Sequence, residues 1–185
     1  MIYLVRHGES VGNAGGRTDT TVDTPLTEEG WRQARNFASG FKGKPDLIVC
    51  SPYLRARQTA RPFIEKFPDT SVEEWPVQEF TFLDEDLCRG TTHEERCKMR
   101  TDYTSRNDWN YVSGKGAESF NQFLQRVDDM IERLGKMDKN KLVMVFTHGH
   151  FIKAVLLRLR SEPVDMAKVF EVKSIDNAAM VEIEI

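Results

Sequence analysis

The stretch LVRHGES, residues 4–10, decides the fold that we expect for the rest of the chain. It overlaps an apolar run, IYLV at 2–5, that is short and continuous and therefore typical of a strand buried on both faces. The run stops at Arg6 and His7, which can both contact an anion, and at Gly8, which permits close backbone approach. A buried strand with such an end predicts a parallel sheet with a ligand site at its carboxyl edge.

Further along the chain, strand and helix patterns alternate. Apolar runs at 46–50 and 142–147 predict two more buried strands, and the alternating residues 178–185 predict a more exposed final strand. The segments between them have helical spacing, with one helix expected to bend or break near Pro62. This order predicts an α/β three-layer sandwich with a mostly parallel central sheet flanked by helices.

The pattern is weakest at 80–116, which we call the lid segment. The stretch up to Gly90 looks like a loop, and a capping box at Thr92 predicts the start of a helix. We interpret residues 1–185 as one domain with this segment as a lid-like excursion. Its six basic and seven acidic residues nearly cancel, which gives no indication of a highly anionic substrate.

Composition restricts the class of protein. The chain has 185 residues and a net charge of -3, which argues against nucleic acid or an anionic membrane as the main partner. Three widely spaced cysteines indicate neither a disulfide framework nor a zinc site. The apolar runs are too short for a signal sequence or a membrane span. We therefore expect a cytoplasmic protein, and the sequence leaves its oligomeric state open.

The predicted strand ends bring several chemically active side chains to one edge of the sheet. The first strand supplies Arg6 and His7, the helix after the second supplies Arg55, and the third is followed by His148 and Gly149. A single histidine or arginine is more often structural or solvated than functional. Their convergence at one edge predicts an anion site.

Five stretches, in order, are similar to the histidine phosphatase superfamily, also called the phosphoglycerate mutase-like family. They are LVRHGES with Asn13, TPLTEEGWRQA, SPYLRARQTA, GAESFNQFLQRV and VFTHG. They span nearly the whole chain except 80–116. The resemblance implies a phosphoglycerate mutase-like fold and a metal-independent phosphomonoester hydrolase that needs no cofactor. Its substrate would be a small phosphorylated metabolite or a phosphoprotein.

The resemblance also implies residue roles. His7 would accept the phosphoryl group, and the groups around the phosphoryl oxygens would be Arg6, Asn13, Arg55, His148 and Gly149. This is chemically consistent, because neighbouring arginines keep a histidine unprotonated and bind phosphoryl oxygens as charge redistributes.

The general acid is assigned to Glu79, which follows a strand-like stretch at 75–78 and precedes a turn at Gly90. One carboxyl group can protonate the leaving alkoxide and later activate water. The stretch between Glu79 and Gly90 is longer than the family usually has. The carboxylates that remain as alternatives are Asp84, Glu85 and Asp86.

Three other activities remain open at this point. A mutase would need added segments to retain the phosphoryl group, and the modest lid segment favours hydrolysis. A metal-dependent hydrolase could use His7, His148 and His150, and chelation would distinguish it. A non-catalytic module that binds a phosphorylated ligand would be expected to lack His7 or an arginine, and this sequence has both.

Overall fold

The computed structural model describes residues 1–171 and 174–185. Its strands are β1 (Ile2–Arg6), β2 (Leu47–Cys50), β3 (Ser71–Glu74), β4 (Val143–Thr147) and β5 (Met180–Ile183). Its helices are α1 (Glu28–Gly40), α2 (Leu54–Lys66), α3 (Glu85–Cys88), α4 (His93–Ser105), α5 (Phe120–Gly135), α6 (Gly149–Leu159) and α7 (Met166–Glu171). In the described residues, no helix is both long and apolar enough to cross a membrane.

The five strands form one sheet in the order β3-β2-β4-β1-β5. The first four strands of that order are parallel, and β5 pairs antiparallel with β1. Arg6 pairs in register with Thr147, and Cys50 pairs with Phe146. The carboxyl ends of β1, β2 and β4 therefore lie side by side, and the predicted fold class is confirmed.

Each face of the sheet is covered by its own hydrophobic cluster. Val5 and Phe146 pack with Phe63 of α2 on one face, whereas Leu4 packs with Phe123 of α5 on the other. Burying one such side chain fully stabilises the fold by about 1.5–3 kcal/mol. Residues that are consecutive in a strand thus enter opposite cores, which fixes the register and with it the positions of the strand ends.

Two local expectations were wrong, and the break that was one alternative at Pro62 does not occur. Helix α2 continues through Pro62 without a break, because its buried face keeps packing while the ring costs one backbone hydrogen bond. The strand expected at 75–78 lies earlier, as β3. Pro76 has no amide hydrogen to donate to a neighbouring strand of the sheet. The apparent loop before Gly90 contains the short helix α3, whose N-cap Asp84 accepts the amide of Asp86.

The lid segment is joined to the loop that follows the first strand. The amide of Thr18 donates to Thr91 O at 3.1 Å, and the amide of Gly90 donates back to Thr18 O at 3.0 Å. Arg96 of α4 donates to the hydroxyl of Thr18 at 3.1 Å. The lid segment therefore lies over the carboxyl edge of the sheet.

Candidate active site

The carboxyl edge opens into a cavity of about 340 Å³ beneath the lid segment. Most of the predicted site residues line it, namely Arg6, His7, Asn13, Arg55, Glu79 and Gly149. His148 is fully buried beside His7, with 5.1 Å between the two ring centroids. The sequence thus identified a set of residues that the fold brings together.

The ring of His7 is buried and has a defined tautomer. Its Nδ1 lies 2.7 Å from Gly8 O, so Nδ1 must carry the proton, since a carbonyl oxygen accepts. Its Nε2 then accepts from Arg55 Nε at 3.2 Å. Burial, reinforced by Arg55 and Arg6, holds the pKa of His7 well below its ordinary value. The ring is therefore neutral, with a lone pair on Nε2.

We expect His7 to stay neutral as the pH falls through 6.5, because its pKa is lowered. At pH 5.5 about nine-tenths of an unperturbed histidine would be protonated. The measurement is an NMR titration of the imidazole carbons, with the His7 signal assigned by its loss in His7→Asn. A His7 signal that titrates near pH 6.5 in the free protein would contradict this expectation.

Close backbone contacts hold the end of β1 in place. A Cβ at Gly8 would lie 2.7 Å from Gly30 O, and one at Gly30 would lie 2.0 Å from Glu9 O. The amide of Gly8 also donates to the hydroxyl of Thr59 at 2.9 Å, and that hydroxyl donates to Arg55 O. Thr59, which sequence reasoning missed, thereby ties the histidine to the helix that carries Arg55.

The two arginines of the site differ in how their donors are used. Arg55 donates to Thr21 O at 2.6 Å, and burial lowers its pKa to about 10, so it stays charged at neutral pH. Arg6 donates to Ile175 O, but its buried Nε has no hydrogen-bond partner among the described residues. A buried donor left unpaired costs free energy, which an incoming phosphoryl oxygen would recover.

Ser51 forms a hydrogen bond with the ring of His148. The hydroxyl lies 2.8 Å from His148 Nε2 and accepts the amide of Tyr53 at 3.3 Å. An oxygen that accepts from Tyr53 can donate its own proton to Nε2, which leaves the proton of His148 on Nδ1. That Nδ1 is buried without a partner among the described residues. With the proton on Nδ1, His148 presents a second unpaired donor next to His7.

We expect Ser51→Ala to slow phosphoryl transfer by roughly tenfold to a hundredfold, since His148 would lose the bond that fixes its tautomer. The readouts are kcat for p-nitrophenyl phosphate and the nitrogen shifts of His148. The kcat of Ser51→Cys, whose thiol is a weaker donor, should lie between the values of the wild-type protein and Ser51→Ala. Full activity of Ser51→Ala with an unchanged His148 spectrum would exclude the positioning role.

Glu79 lies at the start of helix α6 as well as in the cavity. Its carboxylate accepts the amides of Phe80 and His150, each at 3.1 Å to Oε1. Burial alone would raise its pKa, but His150, followed by His148 and Arg55, holds the pKa of Glu79 well below its ordinary value. In the free protein Glu79 is therefore a carboxylate.

The alternative carboxylates are engaged elsewhere, and none lines the cavity. Asp84 caps α3 and also accepts the amide of Lys115 at 2.8 Å. Glu85 pairs with Lys115, and Asp86 pairs with Arg89 on the surface. Their positions favour Glu79 as the acid, a role that remains a prediction.

Asn13 is oriented by its neighbours. Its Oδ1 accepts from the Ser10 hydroxyl at 3.0 Å and from Asn177 Nδ2 at 3.2 Å. Because the carboxamide oxygen is occupied, the Nδ2 group remains to donate to a ligand. Asn177, from the segment before β5, also donates to His7 O and had no signal in the sequence.

Further cavity residues were not identified from the sequence. They include Lys153 of α6 and Arg100 of α4. His150, which the sequence offered as a metal ligand, also lines the cavity, at the first turn of α6. The ranges 1–171 and 174–185 contain no group of three or more His, Cys, Asp or Glu side chains placed to hold a metal ion.

Known proteins share both the sequence and this fold. The profile of the histidine phosphatase superfamily (branch 1) matches residues 2–185. The adenosylcobalamin/alpha-ribazole phosphatase of Salmonella typhi is 32% identical over 166 residues, 88% of this chain and 80% of that protein. The metal-independent phosphoserine phosphatase of Arabidopsis thaliana is 31% identical over 168 residues, 85% of this chain and 68% of that protein.

A solved structure of mycobacterial glucosyl-3-phosphoglycerate phosphatase in complex with VO3 is similar as well. It has a TM-score of 0.74 and 27% identity, covering 97% of this chain and 88% of that one. These similarities confirm the family that the sequence resembled. The chain belongs to the histidine phosphatase superfamily.

Proposed function

We propose that this phosphatase hydrolyses small phosphomonoesters in two steps, with Nε2 of His7 as the phosphoryl acceptor. The observation that supports this most is the neutral His7 ring, whose Nε2 is free of a proton and lies against Arg55 in the cavity. An unprotonated nitrogen beside fixed cations is what attack on a phosphate ester requires.

In the first step, Nε2 of His7 attacks phosphorus as the bond to the ester oxygen breaks. Arg6, Arg55 and the Nδ1 proton of His148 would bind the phosphoryl oxygens. The leaving alkoxide takes a proton from Glu79, which must therefore be protonated at that moment. An arriving phosphate dianion raises the pKa of a nearby carboxyl group, because like charges disfavour ionisation.

In the second step, water attacks the phosphohistidine and the N–P bond breaks. Glu79, now a carboxylate, takes a proton from the water, and the electron pair of the broken bond returns to Nε2. The products are inorganic phosphate and the protein in its starting state. The arginines stabilise both transfers by electrostatics, and each such contact is worth on the order of 3–4 kcal/mol in the transition state.

The small cavity and its aromatic wall, which includes Phe80, Phe82 and Phe170, favour a small phosphorylated metabolite over a phosphoprotein. The named relatives differ in the alcohol, being phosphatases of alpha-ribazole, of phosphoserine and of glucosyl-3-phosphoglycerate. The alcohol of this chain's substrate therefore does not follow from similarity. Location in the cytoplasm and the absence of a nucleic-acid partner remain predictions from composition.

The test is turnover of p-nitrophenyl phosphate with and without EDTA, combined with a rapid quench for phosphate on the enzyme. We expect chelator-resistant turnover and an acid-labile, base-stable phosphoenzyme. Loss of activity on chelation would favour a metal-dependent hydrolase. Transfer of the phosphoryl group to added phosphoglycerate instead of water would favour a mutase.

A further inference from the structure

Glu79 is carried by a stretch of chain that lies outside the helices and strands. This stretch, residues 76–81, connects β3 with α3, and we call it the acid loop. The carboxylate of Glu79 accepts two amides, but those bonds orient the side chain and do not hold the backbone that carries it. A general acid must lie within hydrogen-bond reach of the leaving oxygen. The backbone of the acid loop therefore needs support from a neighbouring element.

Arg126 of α5 binds the acid loop on the side that precedes Glu79. Its Nη1 donates to Pro76 O at 2.7 Å and to Gln78 O at 3.1 Å. The guanidinium also lies over the ring of Phe123, 5.4 Å from the centroid, so packing on the core orients its plane. A planar group that contacts two carbonyl oxygens, two residues apart, restrains the path of the backbone that leads to Glu79.

Glu118, just before α5, binds the acid loop on the side that follows Glu79. Its amide donates to Thr81 O at 2.9 Å, and its Oε1 accepts the amide of Thr81 at 3.2 Å. The same carboxylate accepts from Arg126 Nε at 2.9 Å and from Arg126 Nη2 at 2.6 Å. The two side chains are only 14% and 17% exposed. A bidentate pair that is largely shielded from water is much firmer than an exposed ion pair.

We propose that Glu118 and Arg126 are positioning residues, which as an ion pair hold the acid loop so that the carboxyl group of Glu79 reaches the leaving oxygen. The inference rests on the proposed function, because it assumes that Glu79 is the general acid. The bonds from the pair bracket Glu79, with two carbonyl groups held before it and Thr81 held after it. Neither Glu118 nor Arg126 is part of the cavity wall. Any effect of the pair on the rate must therefore pass through the acid loop.

The experiment measures formation of the phosphoenzyme in single turnovers with two esters that differ in their need for an acid. Glycerol 3-phosphate releases an alkoxide that needs a proton, whereas p-nitrophenyl phosphate releases nitrophenolate, which does not. We expect Arg126→Met to slow the reaction of glycerol 3-phosphate by roughly tenfold to a hundredfold, the effect of a misplaced catalytic group, and to leave that of p-nitrophenyl phosphate nearly unchanged. The ratio of the two rates is the readout, because loss of folded protein slows both esters alike.

Two further variants of the pair keep the inference testable if Arg126→Met does not fold. Arg126→Lys keeps the charge, but an ammonium group cannot contact both carbonyl oxygens and the carboxylate in one plane, so the selective loss should persist. Glu118→Gln keeps an oxygen for the amide of Thr81 and removes the charge that holds Arg126. Combined with Arg126→Met, it should add little to the loss of the single variant, since the two side chains act as one unit. Losses that multiply would overturn the ion pair as that unit.

Arg133→Met is the matched control, because Arg133 belongs to the same helix and makes the same kinds of contact. It pairs with Glu73 at 2.7 Å and lies over the ring of Trp75, 3.9 Å from the centroid. The control thus removes an arginine–glutamate pair and an aromatic contact next to the start of the acid loop, and leaves the bonds to residues 76–81 in place. The ratio of the two rates should be that of the wild-type protein.

An NMR measurement that needs no turnover separates this inference from the proposed function. The amides of Phe80 and His150 both donate to Glu79 Oε1 at 3.1 Å, so their proton shifts report the position of that carboxylate. We expect both signals to move upfield in Arg126→Met, as the two bonds weaken, and to stay in place in Arg133→Met. This result would support the positioning role even if the wild-type protein hydrolyses neither ester.

Two results would overturn the positioning role. One is a pair of unchanged amide signals in Arg126→Met. The other is equal slowing of both esters in Arg126→Met while Glu79→Gln slows only glycerol 3-phosphate. Equal slowing of both esters in Glu79→Gln would instead refute the acid of the proposed function, and the two amide signals would still decide whether the ion pair positions Glu79.

Discussion

Replacing His7 with asparagine should reduce the turnover of p-nitrophenyl phosphate by about 10⁴-fold or more, the scale seen when a catalytic nucleophile is removed. Asparagine can still donate to Gly8 O, as Nδ1 of His7 does at 2.7 Å, but it has no counterpart of the Nε2 lone pair. The variant therefore removes the proposed phosphoryl acceptor and keeps a contact that orders the end of β1.

The measurements are steady-state turnover, trapping of phosphoenzyme after a rapid quench, and the melting temperature. We expect no trapped phosphate and a melting temperature within a few degrees of the wild-type value. Inorganic phosphate should still bind, because Arg6 and Arg55 remain. Turnover close to that of the wild-type protein, or a phosphoenzyme in the variant, would end the assignment of His7.

Changing Glu79 to glutamine should produce an effect that depends on the leaving group. The oxygen of glutamine can still accept the amides of Phe80 and His150, so the start of α6 keeps its cap. Glutamine cannot supply a proton to an alkoxide. We expect hydrolysis of glycerol 3-phosphate to fall by about 10²- to 10⁴-fold, the usual contribution of a general acid.

Release of nitrophenolate needs no proton, so formation of the phosphoenzyme from p-nitrophenyl phosphate should fall far less. The two esters should be compared by single-turnover measurement of the first step, because water attack also uses Glu79. Asp84→Asn is the matched control, since it neutralises a carboxylate outside the cavity. Equal slowing of both esters in Glu79→Gln would argue against a leaving-group acid.

The sheet and the site at its edge could be predicted because both depend on local patterns. Continuous apolar runs marked β1, β2 and β4, and in a parallel sheet those strands must end at one edge. Arg6, His7 and His148 are adjacent to those ends, so their positions followed without knowledge of the loops. The family resemblance then supplied the roles that we propose for them.

The cavity residues that the sequence did not identify could not be predicted because their role depends on the direction in which their side chains point. Helix α4 has no clear apolar face, so nothing indicated that Arg100 points inward while Glu94 does not. Lys153 occupies a helix whose pattern is almost wholly apolar, and it reads as an ordinary surface lysine. Glu79 was chosen for the strand-like stretch before it, yet the backbone there is not a strand, and its place is set by the capping of α6.

The close contact between Gly8 and Gly30 means that helix α1, which contributes no side chain to the cavity, also affects the position of the site. In α1 the peptide at Gly30 supports the backbone of Gly8 and Glu9, and a single added methyl group would collide with it. Inactivating substitutions in this protein need not lie near the phosphate. A geneticist who mapped them would find Gly30 outside the cavity wall, and would need the backbone geometry to understand why so small a change there displaces His7.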